Sequence, residues 1–327
     1  MPRAPRYLEP GSPVVITHRC FQSRFLLRPS KLVNALILGV VALAQQLYGM
    51  KIHYLVVMSN HLHLLITPDS LQQLERFQRF VGGNISKEVG KAQGWEGGIF
   101  RGRYSMVNVT DEVLAQAGRL KYLLAHGVKE GLVRRPQDWP GIHAVKQLIK
   151  GAMRIRGGQW IDRSGLFQAT QGYESNPRAK NRRVRKKQPR RIDFTRKLDV
   201  VLSPIPCWEH LTSKEYRAAV LGLLHEIAND HGDLIQQVPD DWKKRILSRD
   251  PKPRPRKTKR SPRPLCHAAT REAWLEFKER FSEYVSAYMS ASALLRSGVL
   301  AALEHFPKGC HLPRLTGDLR LALERPG

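Results

Sequence analysis

Two imidazoles stand two residues apart in the run Met58-Ser59-Asn60-His61-Leu62-His63-Leu64-Leu65-Ile66. In an extended chain, side chains alternate between faces, so His61 and His63 share one face, about 6.5 Å apart along the strand. Leu62 and Leu64 then point into a core. Two neighbouring imidazoles on an otherwise apolar strand are a ligand pair for a divalent metal ion. Two protein ligands hold such an ion weakly, so a third is expected. The stretch Asp111 to His126 offers it: Val113, Ala117, Leu120 and Leu124 recur at helical spacing and should face the sheet. Tyr122 and His126 lie off that stripe, four residues apart and on one side. His126 is therefore the expected third ligand. Tyr122 is a hydroxyl one helical turn away, and Lys129 falls on the same side if the helix continues.

A metal ion with a phenol beside it suits phosphoryl transfer. The ion would stabilise charge developing on a phosphate, and the phenol would attack phosphorus. A phenol ionises near pH 10, so a cation from the metal or Lys129 is expected to favour the phenolate.

The chain is 327 residues long with a formal net charge of +27. Both halves are basic, which points to a polyanionic partner. Hydrophobic residues make up 42% of the sequence, enough for a core. The four cysteines, Cys20, Cys207, Cys266 and Cys310, form no CxxC pair, which argues against a zinc ribbon and a disulfide framework. The N-terminus shows no apolar leader, and the apolar run Leu32 to Leu47 reads as a buried helix rather than a bilayer span. A cytoplasmic, nucleoid-associated prokaryotic protein is expected, with no membrane partner.

The positioning elements follow from periodicity. Strands are predicted at 14–21, 51–58, 61–67 and 104–109, with Ser59-Asn60 as a tight turn. Helices are predicted at 30–48, ended by Gly49, and at 71–91, interrupted at Gly82-Gly83. A glycine-rich loop spans 94–103. Thr110 is the expected N-cap of the next helix, which runs to about His126, or to Leu132 if Gly127 is tolerated. The order β-α-β-β-α-β-α predicts an α+β domain over 1–150, an antiparallel sheet with helices packed on one face. Residues 151–204 read as a basic linker. Residues 205–327 read as a basic, mainly helical C-terminal extension for DNA binding or assembly, with helices at 212–231 and 268–297 and an extended basic segment at 251–257.

Two separated blocks carry a resemblance. Met58-Ser59-Asn60-His61-Leu62-His63-Leu64-Leu65 resembles the MPNHxHLL signature of the REP-associated tyrosine transposases, in the HUH single-strand endonuclease superfamily. Tyr122-Leu123-Leu124-Ala125-His126-Gly127-Val128-Lys129-Glu130-Gly131-Leu132-Val133, followed by Pro136-Gln137-Asp138-Trp139-Pro140, is similar to the family's YxxxNPVxxGLV…P.DWP. Phe100-Arg101-Gly102-Arg103-Tyr104 resembles the segment between them. The likeness covers about residues 10–150. Three positions depart from the pattern: Ser59 replaces Pro, and His126-Gly127 replaces Asn-Pro.

The resemblance implies a ferredoxin-like or RRM-like sheet and an enzyme that nicks and rejoins single-stranded DNA at hairpins through a 5′-phosphotyrosine. It makes Tyr122 the nucleophile and His61, His63 and His126 the ligands of Mg²⁺ or Mn²⁺. The histidine at 126 would shift preference toward Mn²⁺ or a softer ion. It also leaves room for a homodimer, because in this superfamily the tyrosine helix can serve its own subunit or a partner's. Arg19, Arg101, Arg103, Arg119, Lys121 and Lys129 are the expected DNA contacts. Trp95, Phe100 and Tyr104 would either stack on bases or pin the loop to the core. The basic runs Arg182 to Arg191 and Lys252 to Arg263 are expected electrostatic arms. The alternatives are a non-catalytic DNA-binding regulator on a transposase scaffold and an RNA-binding module.

Overall fold

A computed structural model describes residues 5–174, 189–256 and 263–313. Strands β1 (Val14–Arg19), β2 (Lys51–Met58), β3 (His61–Thr67), β4 (Ser105–Val109) and the short β7 (Cys266–His267) form one sheet in the order β2-β3-β1-β4-β7. The first four pair antiparallel, as expected, and β7 adds a parallel edge from the C-terminal region. β1 and β3 are central, and Thr17 pairs with His63 and Arg19 with His61.

Helices α1 (Lys31–Tyr48) and α2 (Leu71–Gln93) connect the strands. Ser30 caps α1 and Ser70 caps α2, each accepting from a backbone N–H of the first turn. Helix α2 runs unbroken through Gly82-Gly83, against the predicted interruption. Gly82 packs on His18, where a side chain would meet the ring at 3.4 Å. Helix α1 is long and apolar enough to cross a membrane, with a mean hydropathy of 1.4. In this fold it is the core helix: it packs against α2 on one side and on a second sheet on the other.

That second sheet corrects the linker expectation. β5 (Arg154–Ile161) and β6 (Thr195–Val201) pair antiparallel within 151–204, with α5 (Arg163–Glu174) between them. They cover α1 so closely that a methyl group on Gly39 would overlap the Gln159 carbonyl. Gly39→Ala is expected to lower stability by about 3 kcal/mol, the upper end for overpacking a close contact. Urea unfolding of the variant checks this, and an unchanged midpoint contradicts it.

Helix α3 (Val113–Leu124) lies across the face of the sheet that carries His61 and His63, opposite α1 and α2, so helices cover both faces. It differs from the prediction at both ends and in the N-terminal part of its apolar stripe. Its N-cap is Glu112, not Thr110, because the Thr110 hydroxyl donates to Glu112 Oε2 at 2.7 Å and sits near the His267 carbonyl. It stops at Leu124, because Gly127 takes φ +89° and its carbonyl accepts from Leu132 and Val133 to close a turn. Its buried residues are Ala115, Gln116, Leu120, Leu123 and Leu124, whereas Val113 is 55% exposed.

The C-terminal region is mainly helical: α6 (Ser213–Asp230), α7 (Gly232–Gln236), α8 (Trp242–Ser248) and α9 (Arg271–Arg296). A short helix α4 (Val145–Ile149) precedes β5 and packs on α6. All four cysteines are free thiols. Most of the two predicted basic arms, 182–188 and 257–262, lies outside the described residues.

Candidate metal centre

His61, His63 and His126 come together with one ligand nitrogen each, all within 4.8 Å of one another. The ring centroids of His61 and His63 are 4.8 Å apart, and that of His126 is 5.6 and 4.6 Å from them. β3 supplies the pair through strand alternation. His126 arrives from the turn that follows α3, not from the helix itself. A second block holds that turn. Trp139, fully buried, donates from Nε1 to the Val57 carbonyl at 2.8 Å, and His143 Nε2 lies 3.3 Å from the His126 carbonyl. Tyr54 OH fixes the other His143 nitrogen at 2.8 Å.

Each imidazole has its Nδ1 committed to oxygen. His61 Nδ1 is 2.6 Å from Asn60 Oδ1, His63 Nδ1 is 2.9 Å from Thr17 Oγ1, and His126 Nδ1 is 3.2 Å from the Leu123 carbonyl. The Asn60 amide oxygen and the Leu123 carbonyl can only accept, so they assign the proton of His61 and His126 to Nδ1 and leave each Nε2 with a lone pair, while the Thr17 hydroxyl can accept from His63 Nδ1 and leave its Nε2 free in the same way. Among the described residues no side chain or backbone group bonds to any of the three Nε2 atoms. An imidazole whose far nitrogen donates to oxygen is the arrangement found around bound metals. The donor set therefore fits a divalent cation. Thr17, Asn60 and the Leu123 carbonyl were not legible as outer partners. Asn60 reads as a turn residue, and Thr17 meets His63 only through the β1–β3 register.

Burial keeps the three rings neutral. It pushes His61 down to about 3 and holds His63 and His126 well below the ordinary histidine value, with Lys129 and the neighbouring imidazoles adding to the effect. Neutral imidazole is the ligating form. The same chemistry makes the fold acid-sensitive. Burial holds His18 at about 4 and His143 at about 3, against about 6.5 in an unfolded chain. Below pH 6.5 the unfolded chain then binds more protons than the folded one, so stability falls as pH falls. Each such group contributes up to ~1.4 kcal/mol per pH unit down to its folded value. The urea midpoint is expected to drop steeply between pH 7 and 5. A flat profile contradicts this.

Tyr122 stands at the rim, 41% exposed, with its ring centroid 5.2 Å from that of His126 and 6.4 Å from that of His63. Lys129 Nζ lies 3.2 Å from the Tyr122 ring centroid, and the Arg119 guanidinium 4.8 Å from it. The expected phenolate does not follow from these cations alone. Burial and Glu130 raise the phenol above its usual value and outweigh the pull of Arg119 and Arg19. Burial also draws the Lys129 ammonium down to about 8. Glu130 was not singled out in the sequence. It accepts from the Gly127 N–H at 2.6 Å and lies 3.9 Å from Lys129 Nζ.

The predicted DNA contacts divide. Arg19, Arg119 and Lys129 gather at the centre, and Arg101 is tied to Arg19 through a backbone bond of 2.8 Å. Lys121 is bound instead by Glu226 at 2.7 Å and Asp230 at 2.8 Å, which dock α6 on α3. Arg103 lines a separate cleft with Arg6, His18 and Tyr104 on the α2 side of the sheet. His18 is buried in the inner wall of that cleft, 2.8 Å from Gln78 Oε1. Phe100 packs 4.7 Å from the His18 ring, Arg6 covers Tyr104 at 3.6 Å, and Trp95 packs against the core, so these aromatics pin the loop.

No family model matches the sequence, and no curated protein matches it. Among solved structures the chain is similar to a REP-associated tyrosine transposase bound to a REP hairpin, at 19% identity and a TM-score of 0.37, over 46% of this chain and 86% of that one. It is also similar to a putative transposase from Deinococcus radiodurans R1, at 16% identity and a TM-score of 0.27, over 38% of this chain and 95% of that one.

Proposed function

We propose that this protein is a metal-dependent single-strand DNA endonuclease of the tyrosine transposase type, acting at DNA hairpins. One observation carries the reading: three neutral imidazoles converge on one point with a phenol beside them, on a chain of net charge +27.

His61, His63 and His126 would hold Mg²⁺ or Mn²⁺. When bound, the ion supplies positive charge against the oxygens of a scissile phosphate. Arg19 and Arg119 hold the flanking phosphates and orient the strand. Tyr122 Oη attacks phosphorus, forming a P–O bond while the P–O3′ bond breaks. The phenol proton passes to solvent at the exposed rim, and Lys129, whose amine lies over the ring face, stands beside the charge that develops. The leaving O3′ takes a proton from solvent and becomes a free 3′-hydroxyl. The 5′ side stays on the protein as a phosphotyrosine. Because the linkage is a diester, a later 3′-hydroxyl can reverse the step without ATP.

Incubation with single-stranded hairpin DNA and Mn²⁺ or Mg²⁺ tests the proposal. The expected products are a protein-linked 5′ fragment and a fragment ending in a 3′-hydroxyl. Tight binding with intact DNA on every hairpin tried would instead favour a non-catalytic regulator.

A further inference from the structure

Next to the histidine cluster a cavity of about 420 Å³ opens, lined in part by His61 itself. This is within the range that holds small organic groups, ~300–1,000 Å³. Its inner wall belongs to the catalytic domain and includes Phe25 and Glu130. Its outer wall comes from the C-terminal extension: Trp242, Arg245 and Arg249 on or just after α8.

The outer wall is fixed rather than merely adjacent. Arg134 Nη2 donates to the Val238 carbonyl at 3.0 Å and pairs with Asp240 at 2.6 Å. Arg28 donates to the Arg249 carbonyl at 2.9 Å, and the Arg249 guanidinium lies 4.3 Å from the Phe25 ring centroid. Lys121 ties α3, which carries Tyr122, to α6. Beneath Trp242 the side chain of Ile246 is buried in the core.

The lining combines aromatic faces with cations. Trp242 is half-buried, leaving part of its indole toward the cavity. Arg245 pairs at 2.7 Å with Asp241, an exposed contact that a phosphate can displace. Glu130 is the acidic group in the lining, and its carboxylate is engaged by the Gly127 N–H and faces Lys129. Aromatic rings interleaved with arginines suit an unpaired base and its backbone, since every base offers a face for stacking. An apolar peptide would bring no anion to the two guanidiniums that line the cavity.

We propose that α8 completes a nucleotide pocket. One unpaired nucleotide of the DNA strand, adjacent to the phosphate at the histidine cluster, stacks on Trp242, and Arg245 and Arg249, the latter held against the Phe25 ring, hold its phosphate. The proposal rests on the nuclease reading for its substrate, and it gives the extension a role in choosing where the strand is cut.

The test reads binding, so it stands apart from cleavage. Full-length protein carrying Tyr122→Phe is titrated with a fluorescein-labelled single-stranded oligonucleotide in Mg²⁺ and followed by anisotropy. Adding Trp242→Ala is expected to weaken binding about tenfold, and Trp242→Phe to restore most of it. Adding Arg245→Ala with Arg249→Ala is expected to weaken binding and to flatten the dependence on log salt by about 0.7, the share of one phosphate on a single strand. Blunt duplex of the same sequence is expected to show no Trp242 dependence. In addition, an oligonucleotide bearing 5-iodouracil is irradiated with the Trp242-containing protein, and a crosslink at Trp242 is expected by mass spectrometry. Unchanged affinity and salt slope in folded variants, or crosslinks only at other sites, overturn the pocket. A Trp242 dependence in a protein that never cleaves keeps the pocket and sinks the nuclease reading. Cleavage with Trp242-independent binding does the reverse.

Discussion

Tyr122→Phe is expected to lower hairpin cleavage by at least about 10⁴-fold while leaving hairpin affinity within about twofold. Removing a covalent nucleophile costs rate on this scale, because no neighbouring group can take over its bond to phosphorus. The substitution deletes one oxygen and keeps the ring. Lys129 retains its face contact at 3.2 Å, and Arg119 its position 4.8 Å from the ring centre. The phenol oxygen makes no hydrogen bond among those described, and the side chain is 41% exposed, so folding should be unaffected. Single-turnover cleavage alongside anisotropy checks both halves. A variant that still cleaves within tenfold of the parent would assign the nucleophile elsewhere.

His63→Ala should abolish metal-dependent cleavage at ordinary Mg²⁺ concentrations. His63 is the inner member of the trio, flanked by His61 and His126. Without it two imidazoles remain, a weak site for a cation that normally takes further ligands. Mn²⁺ affinity, measured by calorimetry, is expected to fall by more than ~100-fold, beyond the ~10–100-fold typical of disturbing a ligand's outer partner. Thr17→Val supplies that milder case, since it removes only the oxygen 2.9 Å from His63 Nδ1. An equal loss in both variants would contradict the assignment of direct and outer partners. Undiminished Mn²⁺ binding in His63→Ala would remove the metal from this site altogether.

The half of the chain that carries the histidine cluster was legible because its signals are local. The two-residue period of His61 and His63, the Gly49 stop of α1, and the four-residue interval from Tyr122 to His126 all survive in the structure. What escaped depends on distant partners. In α3 the stripe holds at Leu120 and Leu124, which are buried, and fails at the N-terminal end, where Val113 and Leu114 are apolar yet face solvent while Gln116 is buried and accepts from the Cys207 N–H. β5 shows a burial pattern with only three buried positions among its eight residues, too few for alternation to register as a strand. Lys121 reads as a phosphate contact until its acidic partners, Glu226 and Asp230, are brought beside it by α6. The extension's share in the cavity beside His61 is equally non-local, since Trp242 and Arg249 meet Phe25 across more than two hundred residues.

The most direct measurement is peptide mapping of the protein after reaction with hairpin DNA and Mn²⁺. A nucleotide-bearing peptide containing Tyr122 is predicted, present with the metal and absent when a chelator is added or His63 is replaced. A DNA adduct on a different residue, or none on a protein that binds both metal and hairpin, would contradict the account.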